Sequence, residues 1–179
     1  MGGKFGLDDW FILAAWVLSV GFTILLIMLS YSGLGKDVWT LPFENITRTL
    51  TIFTALEKIY IPTVWITKIS ILFLYLRLFP DQGLRRQIKV GLGLCAATVV
   101  CLELACVFKC WPISFSWNYW DGEHQGKCTS MAAQGWANSS LNMFADIVVL
   151  VLPLPTIWKL KLPMEKKIGI IAMFSIGLL

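Results

Sequence analysis

The chain has 179 residues, of which 57% are apolar and only 15% are charged. Soluble domains average about 45–50% apolar and 25% charged residues, so this composition departs from theirs. The charges also leave long gaps: none occurs at 11–30, and only Glu103 and Asp146 interrupt 90–108 and 128–158. Because a soluble helix needs a polar face, these gaps exclude soluble globular, disordered and coiled-coil proteins and indicate a membrane protein.

Stretches of about 20 apolar residues can cross the roughly 30 Å hydrocarbon core of a bilayer. The sequence therefore predicts an all-α, multi-pass transmembrane bundle with four full helices and a shorter fifth segment. The predicted helices cover 10–31, 49–78, 89–110, 132–157 and 168–179. Since the fifth segment is too short to span, we expect 1–179 to be a single but incomplete transmembrane domain from a longer protein.

The basic residues of the loops predict the orientation in the membrane. The two loops that follow the second and fourth helices contain four basic residues each: Arg77, Arg85, Arg86 and Lys89 in one, and Lys159, Lys161, Lys166 and Lys167 in the other. The remaining loops contain two each, Lys36 with Arg48 and Lys109 with Lys127. Cytoplasmic loops retain positive charge, so we expect the N-terminus of this chain in the cytoplasm. The membrane in which we expect the protein is the plasma membrane.

Two features of the loops predicted to be outside agree with this orientation. Asn45 begins an Asn-Ile-Thr glycosylation sequon, which predicts a glycoprotein. Cys110 and Cys128 flank the other outside loop, where an oxidising compartment permits a disulfide. The other cysteines are predicted to be small packing residues of the third helix: Cys95, Cys101 and Cys106.

Seven polar residues fall at membrane depth and are the candidate site residues. They are Glu57, Lys68 and Tyr75 on the second helix, Glu103 on the third, and Asn138, Asn142 and Asp146 on the fourth. At 100° per residue, the three residues of the second helix share one face, and so do the three of the fourth. The two stripes either hold the helices together by hydrogen bonds or line a ligand cavity or ion path.

Lys68 and Asp146 are both expected near the middle of the membrane. Counted from the basic residues at the cytoplasmic boundary, they lie about 13 and 19 Å above it. We therefore expect the two charges to approach each other, directly or through Asn142 or water. Glu103 is an alternative partner for Lys68, and Glu57 is expected to pair with a different group near the outer interface.

Motifs of soluble enzymes and of nucleic-acid binding are missing from the sequence. His124 is the only histidine, so a histidine-rich metal site cannot be built, and no phosphate-binding glycine loop occurs. The basic clusters are short and flank membrane segments, which favours topology signals or anionic lipids over nucleic acid. We expect no metal, cofactor or nucleic-acid partner.

Several segments, in order along the chain, carry a family resemblance. They are Asp8-Asp9-Trp10, Gly33-Leu34-Gly35, the run from Lys68 to Phe79, the loop pattern from Cys110 through Pro112, Trp117 and Gly126 to Cys128, and Asn142, Asp146 and the Leu-Pro-Leu-Pro of 152–155 with Trp158. Together they resemble the fungal rhodopsin-like integral membrane proteins. The resemblance implies a seven-helix fold with an outside N-terminus, in which the five segments here correspond to helices two to six.

The same resemblance implies a receptor-like protein that senses an extracellular or surface cue. Its expected partners are the lipid bilayer, a small-molecule ligand and a cytoplasmic signalling partner such as a G protein. It implies no cofactor, because the family is not generally retinal-binding. The alternatives are a membrane-embedded accessory protein or enzyme of a secondary-metabolite pathway, or a transporter.

Overall fold

The computed structural model describes residues 6–155, which form a helical bundle with one small two-stranded sheet. Its helices are α1 (Leu7–Ser32), α2 (Phe43–Leu78), α3 (Gln82–Val107), α4 (Phe115–Asn118) and α5 (Met131–Val151), and its strands are β1 (Cys110–Trp111) and β2 (Lys127–Cys128). Within this described part, α1, α2 and α3 are long and apolar enough to cross a membrane. The predicted all-α membrane fold is confirmed.

The structure differs from the hydropathy-based boundaries mainly at the polar ends of the helices. α2 begins six residues earlier than predicted, after Pro42, and α3 begins seven residues earlier, after Asp81. The carboxylate of Asp81 accepts a hydrogen bond from the backbone N–H of Leu84 at 2.9 Å and so caps α3. Hydropathy marks the membrane rather than the helix, so it misses turns that extend beyond the hydrocarbon.

α5 has 21 residues, enough to reach across the hydrocarbon core at 1.5 Å per residue. Its polar side chains are spread along its length, so α5 is not among the helices that are apolar enough to count as candidate spans. It ends at Val151 rather than at 157, just before Pro153, whose ring and missing N–H oppose a continuing helix. The fifth predicted segment, 168–179, lies outside the described residues, as do the four lysines that precede it.

α1 is delimited at both ends by glycine. The backbone N–H of Gly6 donates a hydrogen bond to the carboxylate of Asp9 at 2.9 Å, which satisfies a donor at the start of the helix. Gly33 ends it with φ of 116°, in the left-handed region that favours glycine. A Cβ at this position would also lie 2.5 Å from the side chain of Leu41, so the turn into the α1–α2 connection requires a glycine here.

α2 is the central helix of the bundle. α1, α3 and α5 all pack against it, α3 also contacts α5, and the core forms mainly where α2 and α3 meet. The buried core consists of Ile61, Trp65, Leu72, Tyr75, Phe79, Leu84, Ile88, Cys95, Cys106 and Val149. In contrast, α1 exposes large apolar side chains such as Trp16 and Ile24, as expected for a surface that faces lipid.

The segment between α3 and α5 folds back over one end of the bundle, which we call the disulfide end. β1 and β2 pair antiparallel with Cys110 opposite Cys128, and the predicted disulfide joins these two residues. The indole Nε1 of Trp120 donates a hydrogen bond to the hydroxyl of Thr47 at 3.0 Å, and its ring stacks on Phe43 with centroids 5.7 Å apart. The segment is therefore docked on the first turns of α2.

The glycosylation sequon lies in a helix rather than in the predicted loop, next to the docked segment. Asn45 was expected in a loop, but it lies in the first turn of α2 and is half-buried. The third residue of the sequon, Thr47, is the one whose hydroxyl accepts the hydrogen bond from Trp120. Pro42 precedes this helix, and proline is favoured at a helix start, where it sacrifices no hydrogen bond.

Candidate functional site

Three basic and acidic side chains of α2 form ion pairs at three different heights along the helix. Glu57, Lys68 and Arg77 are separated by 11 and 9 residues, or about 16 and 13 Å at 1.5 Å per residue. Glu57 pairs with the residue that precedes β1, Lys68 pairs with α5, and Arg77 pairs with the start of α1. Charged contacts thus join α2 to its neighbours at three levels along its second two-thirds.

The middle contact lies between α2 and α5. The Nζ of Lys68 lies 2.7 Å from Oδ1 of Asn142 and 2.9 Å from Oδ1 of Asp146, and it sits 5.6 Å from the ring centroid of Trp65. Asn142 donates a longer hydrogen bond, 3.4 Å, to Oδ2 of Asp146. These contacts satisfy an ammonium group that is buried inside the bundle and would otherwise be stranded there.

The two charges of this pair differ sharply in exposure. The side chain of Lys68 is 5% exposed, whereas that of Asp146 is 56% exposed. Asn142 and Asp146 are four residues apart on α5, so both reach Lys68 from one helix face. The structure therefore brings Lys68, Asn142 and Asp146 into one cluster, which we call the central cluster.

Two other predicted site residues lie near the central cluster without joining it. Asn138 is half-buried one turn before Asn142 on α5 and makes no hydrogen bond to Lys68 within 6–155. Tyr75 lies two turns beyond Lys68 on α2 and is buried in the core, where its ring meets the edge of Phe79 at 6.3 Å.

The outer contact joins α2 to the disulfide. The Nζ of Lys109 forms an ion pair with Oε2 of Glu57, and the side chains are 2% and 27% exposed. The backbone carbonyl of Lys109 accepts a hydrogen bond from the N–H of Thr129 at 2.8 Å, which ties the residue to the chain beyond β2. Glu103 also faces this end, and its Oε1 is buried without a hydrogen-bond partner among the described residues.

Sequence reasoning missed Lys109, which it counted as a loop charge. The signal that could have identified it is its place directly before Cys110, because a disulfide at a helix end fixes the direction of its neighbours. It also missed Asp8 as a partner of Arg77: Nη1 of Arg77 lies 3.0 Å from Asp8 and 3.5 Å from Asp9. The acidic pair was noted only as part of a family pattern.

His124 is exposed and contacts Asp121 in the connection that covers the disulfide end. Nδ1 of His124 lies 2.7 Å from Oδ2 of Asp121, and the backbone N–H groups of Glu123 and His124 donate to Oδ1. Desolvation by burial raises the pKa of Asp121, but the hydrogen bonds outweigh it and hold the pKa below its usual range. The contact organises this turn locally.

Comparison with known proteins places the chain among fungal membrane proteins. The Fungal rhodopsin domain matches residues 1–179. A SAT4 family membrane protein of Emericella nidulans is 25% identical over 88% of this chain and 41% of its own length. The Polyenoic acids biosynthesis gene cluster protein Ba17b of Metarhizium anisopliae is 28% identical over 97% of this chain and 48% of its own length.

A third relative, the Fugralins biosynthesis cluster protein 2 of Gibberella zeae, is 25% identical over 85% of this chain and 39% of its own length. No solved structure matches the chain. The chain spans less than half the length of these curated relatives. Since the domain match covers all 179 residues and the fold is that of a helical membrane protein, the chain belongs to the fungal rhodopsin domain family.

Proposed function

We propose that this chain is part of a receptor-like membrane protein whose responsive centre is the central cluster of Lys68, Asn142 and Asp146. The observation that carries the proposal is the unequal burial of the two charges, 5% for Lys68 against 56% for Asp146. A pair that only held two helices together would be stabilised most by enclosing both charges and satisfying all their hydrogen bonds. Here, among residues 6–155, the carboxylate is open on the side away from Lys68, where a ligand could reach it.

The open side of the central cluster favours one kind of ligand. An ionised carboxylate only accepts hydrogen bonds, while the ammonium of Lys68 is enclosed by Asn142, Asp146 and Trp65. A ligand that reaches this cluster meets Asp146 first. The geometry therefore favours a small amine or another hydrogen-bond donor over an anion, because charge-assisted hydrogen bonds are about twice as strong as neutral ones.

A ligand at Asp146 would act on the packing of α5 against α2. Drawing Asp146 away from Lys68 weakens the contact between these helices and leaves Asn142 as the remaining partner of Lys68. Such a ligand shifts a conformational equilibrium only by its difference in affinity for the paired and unpaired states. Because α2 also carries Arg77 at its far end, a movement of α2 reaches the surface that a signalling partner would bind.

We place the responsive centre in a protein of the plasma membrane, with the disulfide end outside and the N-terminus of this chain in the cytoplasm. Support comes from the basic residues on either side of the α2–α3 connection, in the last turn of α2 and the first turns of α3, and from the disulfide, which needs an oxidising compartment. Asn45 lies at the same end as the disulfide, which is compatible with glycosylation.

A second function is favoured by the names of two relatives, which are assigned to biosynthetic gene clusters. In that function the chain is a membrane-embedded accessory protein or enzyme of a secondary-metabolite pathway. Deleting the gene in its fungus separates the two. Loss of one metabolite with unchanged transcription favours the pathway role, whereas loss of a transcriptional response to an external compound favours the receptor role.

The ligand chemistry can be tested with three probes of equal chain length. We would measure thermal unfolding of the full-length protein with hexylamine, hexan-1-ol and hexanoate. Binding to the folded state raises the Tm by mass action, so hexylamine should stabilise the wild type and lose this effect in Asp146→Asn. Asn138→Ala, on the same helix but outside the central cluster, should retain it. Stabilisation by hexanoate that survives Asp146→Asn would contradict the proposal.

A further inference from the structure

A cavity of about 380 Å³ opens between the last turns of α1 and the first turns of α2. It is lined by Met28, Tyr31, Ser32, Asn45 and Arg48. Arg48 lies 20 residues before Lys68 on α2, or about 30 Å along the helix, so this cavity is separate from the central cluster. We infer that it binds the phosphate-bearing headgroup of a phospholipid, with Arg48 as the phosphate ligand.

The hydrogen-bonding groups of the cavity favour an anion. The hydroxyl of Ser32 already donates to the carbonyl of Met28 at 2.9 Å, which leaves the guanidinium of Arg48 as the strongest free donor in the lining. Arg48 is exposed and forms no ion pair with any residue of 6–155, including Glu44 one turn before it. A guanidinium presents a planar set of donors that matches phosphate oxygens in pairs.

The depth of the cavity matches the level of lipid headgroups. On α1, Trp10 and Tyr31 are 21 residues apart, about 31 Å, which equals the thickness of the hydrocarbon core. The hydroxyl of Thr49 donates to the carbonyl of Ser32 at 3.1 Å, so the start of α2 lies level with the end of α1. Arg48 therefore lies at the boundary where phosphate groups begin.

The surface next to the cavity suits acyl chains. Towards the middle of the membrane, α1 exposes Ile24, Ile27 and Met28, which are 53%, 52% and 43% exposed. The polar opening of the cavity lies next to an apolar helix face, which suits an amphiphile. A free phosphate would contact only the polar opening. The cavity is also within the range of about 300–1,000 Å³ that small-molecule sites occupy.

The test uses native mass spectrometry of the full-length protein with three matched probes: dioleoyl phosphatidylglycerol, dioleoylglycerol and glycerol 3-phosphate. We expect the wild type to retain phosphatidylglycerol and neither of the other two. Arg48→Gln should weaken phosphatidylglycerol binding about tenfold, the factor that corresponds to one charge-assisted hydrogen bond. Lys36→Gln is the matched control, because it removes an exposed cation of the α1–α2 connection that does not line the cavity.

Three results would overturn the inference. Equal retention of phosphatidylglycerol by the wild type and Arg48→Gln would show that Arg48 is not the ligand, and an equal loss in Lys36→Gln would show a general charge effect. Binding of glycerol 3-phosphate as tight as that of the lipid would replace the lipid with a soluble phosphate. Circular dichroism of Arg48→Gln checks that this variant folds. Asp146→Asn should retain the lipid whether or not the central cluster binds a ligand.

Discussion

Lys109 forms its ion pair with Glu57 directly beside the disulfide, since Lys109 is the residue before Cys110. Its side chain is only 2% exposed, so the ammonium has little access to water. The disulfide holds the backbone from which this charge reaches α2. The covering segment and the helical bundle are therefore coupled through one buried charge.

Glu57→Gln should destabilise the protein by about 3–5 kcal/mol, because removing one partner of a buried pair leaves the other uncompensated. The double variant Glu57→Gln with Lys109→Met should regain part of this stability. Denaturation in a fixed detergent measures both values. Glu44→Gln, at an exposed acid of the same helix, is the control and should change stability by no more than about 0.5 kcal/mol. If Glu57→Gln left the free energy of unfolding unchanged, the pair would not be buried.

Replacing both Cys110 and Cys128 with serine should cost about 3 kcal/mol, the chain-entropy value for a closed loop of this length. It should also reduce the effect of Glu57→Gln, because Lys109 is then held less firmly. Intact-mass analysis with and without reduction tests the bond itself. Cys101→Ser, at a free and exposed cysteine, is the control. Finding both thiols free in protein from an oxidising compartment would refute the disulfide.

The contact at the far end of α2 should be weaker than the one beside the disulfide. Arg77 is 44% exposed and its partner Asp8 11%, so water screens part of their attraction. We expect Arg77→Gln to cost about 1 kcal/mol or less, in the range of surface ion pairs. Arg86→Gln, at an exposed position on α3, is the control. A loss as large as that of Glu57→Gln would mean that screening is absent at this end.

The central cluster could be predicted from the sequence, because the sequence shows that its residues lie within apolar segments and how far apart they are along each helix. Apolar runs locate Lys68 and Asp146 in the membrane, and the four-residue step from Asn142 to Asp146 sets them on one face of a helix. The structure contains that contact. Charge and hydropathy alone do not indicate which loop lysine turns inward, so the contact of Lys109 could be predicted only from its place directly before Cys110.

The setting of Asn45 could not be predicted. Hydropathy begins the second helix at 49, because the polar turn before it has no apolar face to bury. In the structure that turn is helical, and Trp120 covers it from a distant part of the chain. The contact depends on a tertiary fold that local sequence does not encode.

This setting leads to a prediction for glycosylation. If the disulfide end is outside, glycosidase treatment should shift the mobility of the protein, and Asn45→Gln should abolish the shift. Because Trp120 covers Thr47, modification must precede docking, so Trp120→Ala should raise the glycosylated fraction. A sequon made by Pro80→Asn with Gln82→Thr, two exposed positions at the α2–α3 connection, is the control and should stay unmodified. Modification there instead would reverse the orientation.

The contact between Lys68 and Asp146 is the central claim, and a double-mutant cycle in the full-length protein tests it most directly. Asp146→Asn should cost more than Lys68→Met, because it strands the enclosed ammonium, and removing one partner of a buried pair costs about 3–5 kcal/mol. The double variant should be more stable than the sum of the single effects implies, with a coupling energy of about 1–3 kcal/mol. Additive losses, with no coupling, would contradict the account.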